Sequence, residues 1–145
     1  MIVIPKEVVS FREYVLDLRP VGSRVTCNPT PENTDADYLI LLSPKSSFFF
    51  QKLEEEGYIQ DGSVIQDVVN KIPPEDRFYS FSKKPINIIA TKSPKFFFRF
   101  MAATHVATQL NLLDKEQRIM LFQAVLYGNQ YKTSVKTEFD MQHQA

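Results

Sequence analysis

Apolar and polar residues along the chain follow patterns that predict an alternation of helices and strands. Apolar residues recur at near-helical spacing in KEVVSFREYVLDLR, residues 6–19, which predicts a first helix that ends at Pro20. A short strand is expected at VGSRVT, residues 21–26. The run ADYLILL, residues 36–42, is almost continuously apolar and predicts a central strand buried on both faces.

The middle of the chain predicts another helix and then two strands. The sequence SPKSSFFFQKLEEEG starts as a loop and continues as a helix that Gly57 ends. Residues 57–76 are ambiguous, although VIQDVVNKI within them looks helical and two prolines mark its end. RFYSFSKK and PINIIAT, residues 77–91, predict two strands joined by a tight turn at residues 83–85.

The C-terminal third is predicted to be helical. Residues 94–113 are apolar nearly all round, which places this helix deep in the core or at an interface. A second helix is expected over residues 114–127, where Asp114 and Gln117 resemble a capping box. Residues 130–145 are mostly polar and are expected to form a tail.

Length and composition are those of one globular domain. The chain has 145 residues, of which 43% are hydrophobic and 23% charged, and a chain of this size buries about 70% of its unfolded surface. We therefore predict a single α/β (α+β) domain over residues 1–129, followed by the polar tail. Its architecture is expected to be a small mixed central sheet with flanking helices and a helical C-terminal third.

Charge and motif content exclude several classes of function. Lys and Arg total 17, as do Asp and Glu, so nucleic-acid binding through bulk positive charge is disfavoured, whereas a local basic patch remains open. No apolar run approaches the ~18 residues of a membrane span, and the N-terminus lacks a basic region, so we expect a cytoplasmic protein. Cys27 is the single cysteine, and zinc-hydrolase and kinase motifs are absent from the sequence.

The sharpest chemical feature combines a Gly-Ser pair with two closely spaced aspartates. Asp35 and Asp37 lie two residues apart at the start of the predicted central strand, so their carboxylates leave the same face about 7 Å apart at Cα. Hard cations such as Mg²⁺ bind through one or two carboxylates together with substrate phosphates. Gly22 allows close approach of a phosphate, Ser23 adds a hydroxyl, and Arg24 offers a forked donor to a phosphate or a salt bridge to its neighbours.

The ordered set of a helix, an apolar residue, Gly22-Ser23, eleven residues, and Asp35-x-Asp37 in an apolar strand resembles the nucleotidyltransferase superfamily with the DNA polymerase beta-like fold. The match covers roughly residues 5–50 and corresponds to a small stand-alone form. Residues 102–129 are also similar to small phage-encoded relatives. Taken singly, an Asp-x-Asp is also typical of strand-end solvation, and a Gly-Ser pair of a simple turn.

The resemblance implies transfer of a nucleoside monophosphate from an NTP to a hydroxyl of an acceptor, which is an RNA, a protein or a small molecule. Asp35 and Asp37 would hold two Mg²⁺ (or Mn²⁺) ions, and Gly22 and Ser23 would hold the phosphates. The family carries a third carboxylate on a later strand, where this chain has Asn87.

An asparagine is uncharged and cannot act as a base, and a positioned base is typically worth about 10²–10⁴-fold in rate. Other acids in the preceding region are alternatives that the spacing does not distinguish: Asp61, Asp67, Glu75 and Asp76. An alternative function follows, in which the chain is a catalytically degenerate copy of the fold that acts as a binding module, of host-targeting or toxin–antitoxin type.

Basic and aromatic residues elsewhere have two interpretations each. Lys83 and Lys92 are candidates for a basic wall that binds substrate phosphates, together with neighbouring cations, or for a solvated surface. His105 is interpreted as a core or interface residue, and Cys27 as a small apolar one.

The 12 phenylalanines include triplets at 48–50 and 96–98. At least one ring of each triplet must face away from the core, because three helical positions span about 200°. We favour packing and contact with a partner over nucleotide stacking, and expect a homodimer or a protein partner on the apolar C-terminal helices.

Overall fold

The computed structural model describes residues 12–60 and 77–127. Within these ranges the chain forms five strands and four helices. In chain order the elements are β1 (Val15–Val21), α1 (Ser23–Thr26), β2 (Ala36–Leu42), α2 (Phe49–Glu55), β3 (Ile59–Gln60), β4 (Phe78–Lys83), β5 (Ile86–Thr91), α3 (Pro94–Leu110) and α4 (Lys115–Tyr127). The predicted class, a mixed sheet with flanking helices and a helical C-terminal third, is confirmed.

The strands form one mixed sheet in the order β1-β2-β5-β4-β3. Strand β2 pairs antiparallel with β1 and parallel with β5, while the β4–β5 and β3–β4 pairs are antiparallel. The parallel pair sets Asp37 opposite Asn87 at the beginning of both strands. These two polar residues therefore lie at the same end of the two central strands, although they are far apart in sequence.

Each face of the sheet carries its own hydrophobic core. The α2 face contains Ile40, Phe49 and Phe81, all without exposed surface. The opposite face, which we call the α3 face, is packed around Leu39 and Phe97. Because side chains alternate along a strand, residues 37, 39 and 41 of β2 belong to the α3 face, and so does Asn87 on β5.

The predicted first helix is wrong over residues 15–19, because residues 15–21 form the edge strand β1, and only residues 12–14 before it make a short 3₁₀ turn. Leu18 and Val21 are spaced three apart, which looks helical, but in a strand this spacing places them on opposite faces, and each face has a core to receive one. Pro20 is tolerated because an edge strand has backbone groups that need no partner. The part of that prediction over residues 6–11 lies outside the described residues.

The predicted strand at residues 21–26 is also wrong. Val21 ends β1, and residues 23–26 form the single-turn helix α1, in which the Gly22 carbonyl accepts hydrogen bonds from the amides of Val25 and Thr26. Gly22 adopts φ of +81°, a conformation that favours glycine. The glycine therefore turns the chain from the strand directly into the helix.

The other predicted elements are confirmed within the described ranges. Strand β2 matches residues 36–42, helix α2 ends just before Gly57, and β4 and β5 form a hairpin. The possible helix within 57–76, the end of α4 after residue 127 and the polar tail lie outside the described residues. Across residues 12–60 and 77–127, no helix has the length and apolar character needed to cross a bilayer.

Helix α3 buries one face rather than its whole circumference. Its buried residues include Phe96, Phe97 and Ala107, whereas Phe98 and Leu110 are each 63% exposed. Ser93 caps the helix by accepting a hydrogen bond from the Phe96 amide at 3.0 Å. Of the two alternatives for residues 94–113, burial deep in the core is thus wrong for the outward face of the helix, which is apolar and exposed, and burial at an interface stays a prediction.

Candidate functional site

The two predicted carboxylates and Asn87 meet at the beginning of β2 and β5. The amide nitrogen Nδ2 of Asn87 donates to Asp37 Oδ1 at 2.9 Å and more weakly to Asp35 Oδ2 at 3.4 Å. All three side chains are partly buried. Asp35 precedes β2 by one residue and so shares the α3 face with Asp37. The predicted convergence of Asp35, Asp37 and Asn87 is therefore present.

Gly22 lies directly against the Asp37 carboxylate. Val21 pairs with Asp37 across the β1–β2 ladder, so the turn after β1 passes over the start of β2. A Cβ atom added at Gly22 would clash with Asp37 Oδ2 and approach its Cγ to 2.8 Å. A side chain at position 22 is excluded by both its backbone conformation and this contact, and the next residue, Ser23, faces the same space.

Arg24 supports the site without pointing into it. Its Nε and Nη2 atoms donate to the Thr34 carbonyl oxygen at 3.0 and 2.6 Å. This forked contact ties helix α1 to the residue immediately before Asp35. Of the two interpretations made from the sequence, stabilisation of neighbouring residues is the one that the side chain adopts, through a backbone carbonyl rather than a salt bridge.

The electrostatics of the site are dominated by the burial of Asp37. Burial raises the pKa of its carboxyl group, the hydrogen bond from Asn87 lowers it, and the charge of Asp35 raises it again. The attraction of Arg24 is a smaller, opposing effect. The pKa of Asp37 is raised overall. The surrounding groups therefore do not fully compensate the negative charge of its ionised carboxylate.

A cleft of 610 Å³ opens over these residues. One side is formed by Gly22, Ser23 and the Asp35–Asp37 region, and the loop between α1 and β2 contributes Pro31 and Thr34. The opposite side is helix α4, together with Phe100 of α3. This volume lies within the ~300–1,000 Å³ typical of small-molecule sites.

The loop that borders the cleft is held to the helical layer by two asparagines. Asn111 Oδ1 accepts from the Asn28 amide and Asn111 Nδ2 donates to the Asn28 carbonyl, each at 2.9 Å. Asn111 ends α3 in the left-handed conformation, with φ of +47°. These reciprocal bonds fix the start of the loop that leads to Asp35.

Arg118 ties the start of α4 to the same region. Its Nη1 atom donates to the carbonyls of Leu112 and Leu113, both at 2.8 Å, and lies 3.3 Å from the buried Cys27 Sγ. Cys27 is buried, but its sulfur contacts Arg118 and the Leu112 carbonyl, so its surroundings are more polar than the interpretation as a small apolar residue predicts. The cleft wall formed by α4 is thus anchored at its N-terminal end.

Lys83 and Lys92, the predicted phosphate-binding lysines, do not line the cleft. Lys83 pairs with Ile86 on the opposite, α2 face, and its Nζ donates to the Glu56 carbonyl at 2.8 Å. Lys92 is exposed beyond the end of β5, about 16 Å along the strand from Asn87. The basic side chains that do border the cleft are Lys115 and Arg118.

The remaining predicted features lie elsewhere. His105 is exposed on α3, so the core alternative is wrong for it, and the interface alternative stays a prediction. Each phenylalanine triplet has one strongly exposed ring, Phe48 at 65% and Phe98 at 63%, as the helical geometry predicts. The other rings pack in the interior, and none of the six residues borders the cleft.

Helix α4 contributes the cleft residues that the sequence did not single out: Lys115, Arg118, Ile119, Phe122, Gln123 and Leu126. Their spacing of three to four residues marks one face of a helix and was visible in the sequence. The sequence alone does not show that this face borders a cleft, because apolar residues lie on all sides of the helix. None of the side chains of residues 115–126 is fully buried, so burial does not single out one face either.

The donor set at the carboxylates fits a hard cation. Asp35 and Asp37 supply carboxylate oxygens, and a half-turn of the Asn87 amide would present its carbonyl oxygen in the position of its NH₂ group. Within the described ranges, no group of three or more His, Cys, Asp or Glu side chains is arranged to hold a metal ion. The site therefore depends on two acids and one amide.

Comparison of the chain with protein families, with curated proteins and with solved structures finds no match.

Proposed function

We propose that this protein is a metal-dependent nucleotidyltransferase that transfers an NMP group from an NTP to a hydroxyl of an acceptor. The observation that carries the proposal is the convergence of Asp35, Asp37 and Asn87 beside Gly22 at one side of the 610 Å³ cleft. These are the residues that the resemblance to the nucleotidyltransferase superfamily selects from the sequence, and their meeting depends on long-range strand pairing that the motif alone does not impose.

Asp35 and Asp37 would hold Mg²⁺ or Mn²⁺, with Asn87 as a neutral third ligand. When bound, the metal neutralises phosphate charge and stabilises the attacking and leaving oxygens of an in-line displacement. The raised pKa of Asp37 is consistent with this assignment, because its uncompensated carboxylate lies in a partly buried place that a cation would stabilise.

The residues of the chain position the substrate. Gly22 allows the backbone to lie directly against the Asp37 carboxylate, and Ser23, which borders the cleft beside it, would offer a hydroxyl donor to a phosphate. Lys115 borders the same cleft from α4, with no hydrogen bond or ion pair among the described residues, and is available to a phosphate. It takes the place that the sequence assigned to Lys83 and Lys92.

In the proposed reaction an acceptor hydroxyl oxygen forms a bond to the α-phosphorus, and the bond from that phosphorus to the β-phosphate oxygen breaks. Pyrophosphate leaves with the electron pair, and the hydroxyl proton passes to solvent, because Asn87 cannot accept it. The alternative acids, Asp61, Asp67, Glu75 and Asp76, lie outside the described residues. Among the described residues of the site, catalysis rests on positioning and charge stabilisation. The proposed reaction requires NTP and Mg²⁺, and this requirement is consistent with the expected cytoplasmic location.

A second candidate, a binding protein with a degenerate site, is favoured by one observation. The Asn87 NH₂ group donates to both carboxylates, and so takes the position that a cation would occupy between them. In this alternative Asp35, Asp37 and Asn87 form a structural hydrogen-bond group and the protein acts through a partner.

We further propose that the partner surface is the outward stripe of α3, whether the partner is a second copy or another protein. Phe98, Ala102, Val106 and Leu110 are spaced four apart on this helix and all are exposed. A continuous apolar stripe of this kind is typical of an interaction surface.

Transfer of label from α-³²P-labelled ATP, GTP, CTP or UTP, in the presence of Mg²⁺ or Mn²⁺ and of cell extract as the source of acceptor, tests the function. The transferase proposal expects label in RNA, protein or a small molecule. Asp35→Asn and Asp37→Asn are expected to abolish the transfer. Asp17→Asn, which removes a carboxylate of β1 outside the cleft, is the matched control. Equal labelling by wild type and Asp37→Asn would overturn the proposal.

A further inference from the structure

The cleft has two chemically different halves along helix α4. Its cationic residues, Lys115 and Arg118, are in the first turn, whereas Ile119, Phe122 and Leu126 make the following wall apolar. Between Lys115 and Leu126 the helix rises about 16 Å. A ligand that spans this wall must be charged at one end and flat or apolar at the other.

The ring of Phe122 is held in place by a chain of aromatic contacts that starts in the core. Phe78 stacks on Phe96 at 4.9 Å, Phe96 contacts Phe100 at 5.9 Å, and Phe100 meets Phe122 edge to face at 4.9 Å and 64°. Phe96 is only 5% exposed, so this series of aromatic contacts begins at a side chain that the core holds in place. Phe122 is half-buried and borders the cleft, which makes it a fixed aromatic surface rather than a mobile side chain.

Gln123 is the uncharged polar side chain of this apolar half. It is half-buried, borders the cleft, and has no hydrogen bond to any described residue. A primary amide offers a donor and an acceptor side by side, the combination that pairs with the edge of a nucleobase. A carboxylate or an amine in this place would select charge, whereas the amide selects a neutral heterocycle.

We infer that this half of the cleft is a nucleobase pocket, in which the base stacks on Phe122 and Gln123 reads its edge. The inference rests on the proposed function, since it assigns the triphosphate to the half of the cleft lined by Gly22, Ser23 and Lys115. Phe122 supplies affinity for any base, because every base has a π-face. Gln123 supplies discrimination among bases, because its two polar groups match some edges better than others.

Isothermal titration calorimetry with Mg²⁺ and inorganic tripolyphosphate, ATP, GTP, CTP or UTP separates the two halves. We expect at least one NTP to bind roughly tenfold tighter than tripolyphosphate, as one base–aromatic contact predicts. Phe122→Leu, which keeps the apolar contact with Phe100 but removes the ring, is expected to erase most of that excess and to leave tripolyphosphate binding unchanged. Gln123→Leu is expected to bring the four NTP affinities closer together.

Gln117→Leu is the matched control, because Gln117 lies exposed on the same helix and outside the cleft. Equal binding of NTPs and tripolyphosphate by the wild type would overturn the nucleobase pocket and leave the metal–phosphate site intact. NTP affinities unchanged in both Phe122→Leu and Gln123→Leu would also overturn it. Failure of tripolyphosphate and all four NTPs to bind would overturn the proposed function together with the pocket.

Discussion

The side-chain amide of Asn87 donates a hydrogen bond to the carboxylate of Asp37 over a distance of 2.9 Å, although 50 residues separate them in the chain. The contact follows from the parallel pairing of β2 with β5, which sets the two residues opposite each other at the start of both strands. Placement of a neutral amide against a partly buried carboxylate stabilises the carboxylate without supplying a charge. The balance between the burial of Asp37, which raises its pKa, and the hydrogen bond from Asn87, which lowers it, determines how the site responds to pH, to cations and to substitution.

Asp37→Asn is expected to increase stability at neutral pH while abolishing activity. Burial, and secondarily the charge of Asp35, raise the pKa of Asp37, so the folded protein retains a proton at pH values where the unfolded chain has lost it. Stability therefore falls as pH rises from the ordinary carboxyl range, near 4, through the raised pKa. The asparagine variant lacks this fall, which urea unfolding at a series of pH values will measure.

The comparison variant for the pH experiment is Asp17→Asn, which removes a β1 carboxylate that lies outside the cleft and pairs with Arg19 at 3.2 Å. This variant is expected to retain the fall in stability that Asp37 causes. Parallel stability curves for the wild type and Asp37→Asn would contradict an energetic penalty at Asp37.

Gly22→Ala is expected to reduce the free energy of unfolding by more than about 2 kcal/mol and to abolish nucleotide transfer. The φ of +81° is unfavourable for alanine, and the added methyl group would displace the Asp37 carboxylate. Chemical denaturation measures the stability loss. Gly57→Ala is the control: its φ is also positive, at +94°, but the added Cβ would meet only the flexible Lys83 side chain at 3.6 Å.

For the control we expect a loss of about 1 kcal/mol, the cost of the backbone conformation alone, and full activity. Similar losses of stability and activity in both alanine variants would argue against the specific contact between Gly22 and Asp37.

Asn111→Ala is expected to destabilise the protein by about 2 kcal/mol, because it removes two hydrogen bonds to the Asn28 backbone and places alanine in a left-handed conformation. Asn111→Gly keeps the favourable backbone conformation and loses only the hydrogen bonds, so its loss should be smaller. Thermal unfolding of the two variants measures the difference. Equal melting temperatures for Asn111→Ala and the wild type would show that the two asparagines contribute nothing to the loop.

Self-association is expected through the exposed stripe of α3, where Phe98 and Leu110 are each 63% exposed. Size-exclusion chromatography at micromolar concentration should show a species larger than the 16.8 kDa monomer. Leu110→Glu is expected to shift it to the monomer, because the charge would be buried in the contact. Gln109→Glu, exposed beside the stripe, should not. A wild-type protein that elutes as a monomer would exclude a dimer and leave a different protein as the partner.

Short-range patterns in the sequence were sufficient to predict an element where the distribution of apolar residues favoured one type of secondary structure. The run at residues 36–42 has almost no polar side chain to place toward water, so it had to be a strand covered on both sides, and β2 is. The same strand carries Asp35 and Asp37 at its start, so their shared face followed from strand geometry alone. The hairpin of β4 and β5 was predictable because two apolar runs flank a short turn.

Tertiary structure decided the elements for which local signals conflict. Residues 15–21 have apolar spacing that suits a helix, yet they form a strand because β2 offers a free edge and the sheet has a core on each face for Leu18 and Val21. Helix α4 has apolar residues around its circumference, so only its packing against α3 determines which face borders the cleft.

The sequence by itself thus determined the acidic half of the site, since two aspartates on one strand share a face wherever that strand lies. Only the tertiary structure brought Asn87 to them, carried Lys83 to the opposite face, and supplied Lys115, Phe122 and Gln123 as the facing wall. The physical reason is that strand periodicity is a property of neighbouring residues, whereas the walls of a cleft are set by the pairing and packing of segments far apart in the chain.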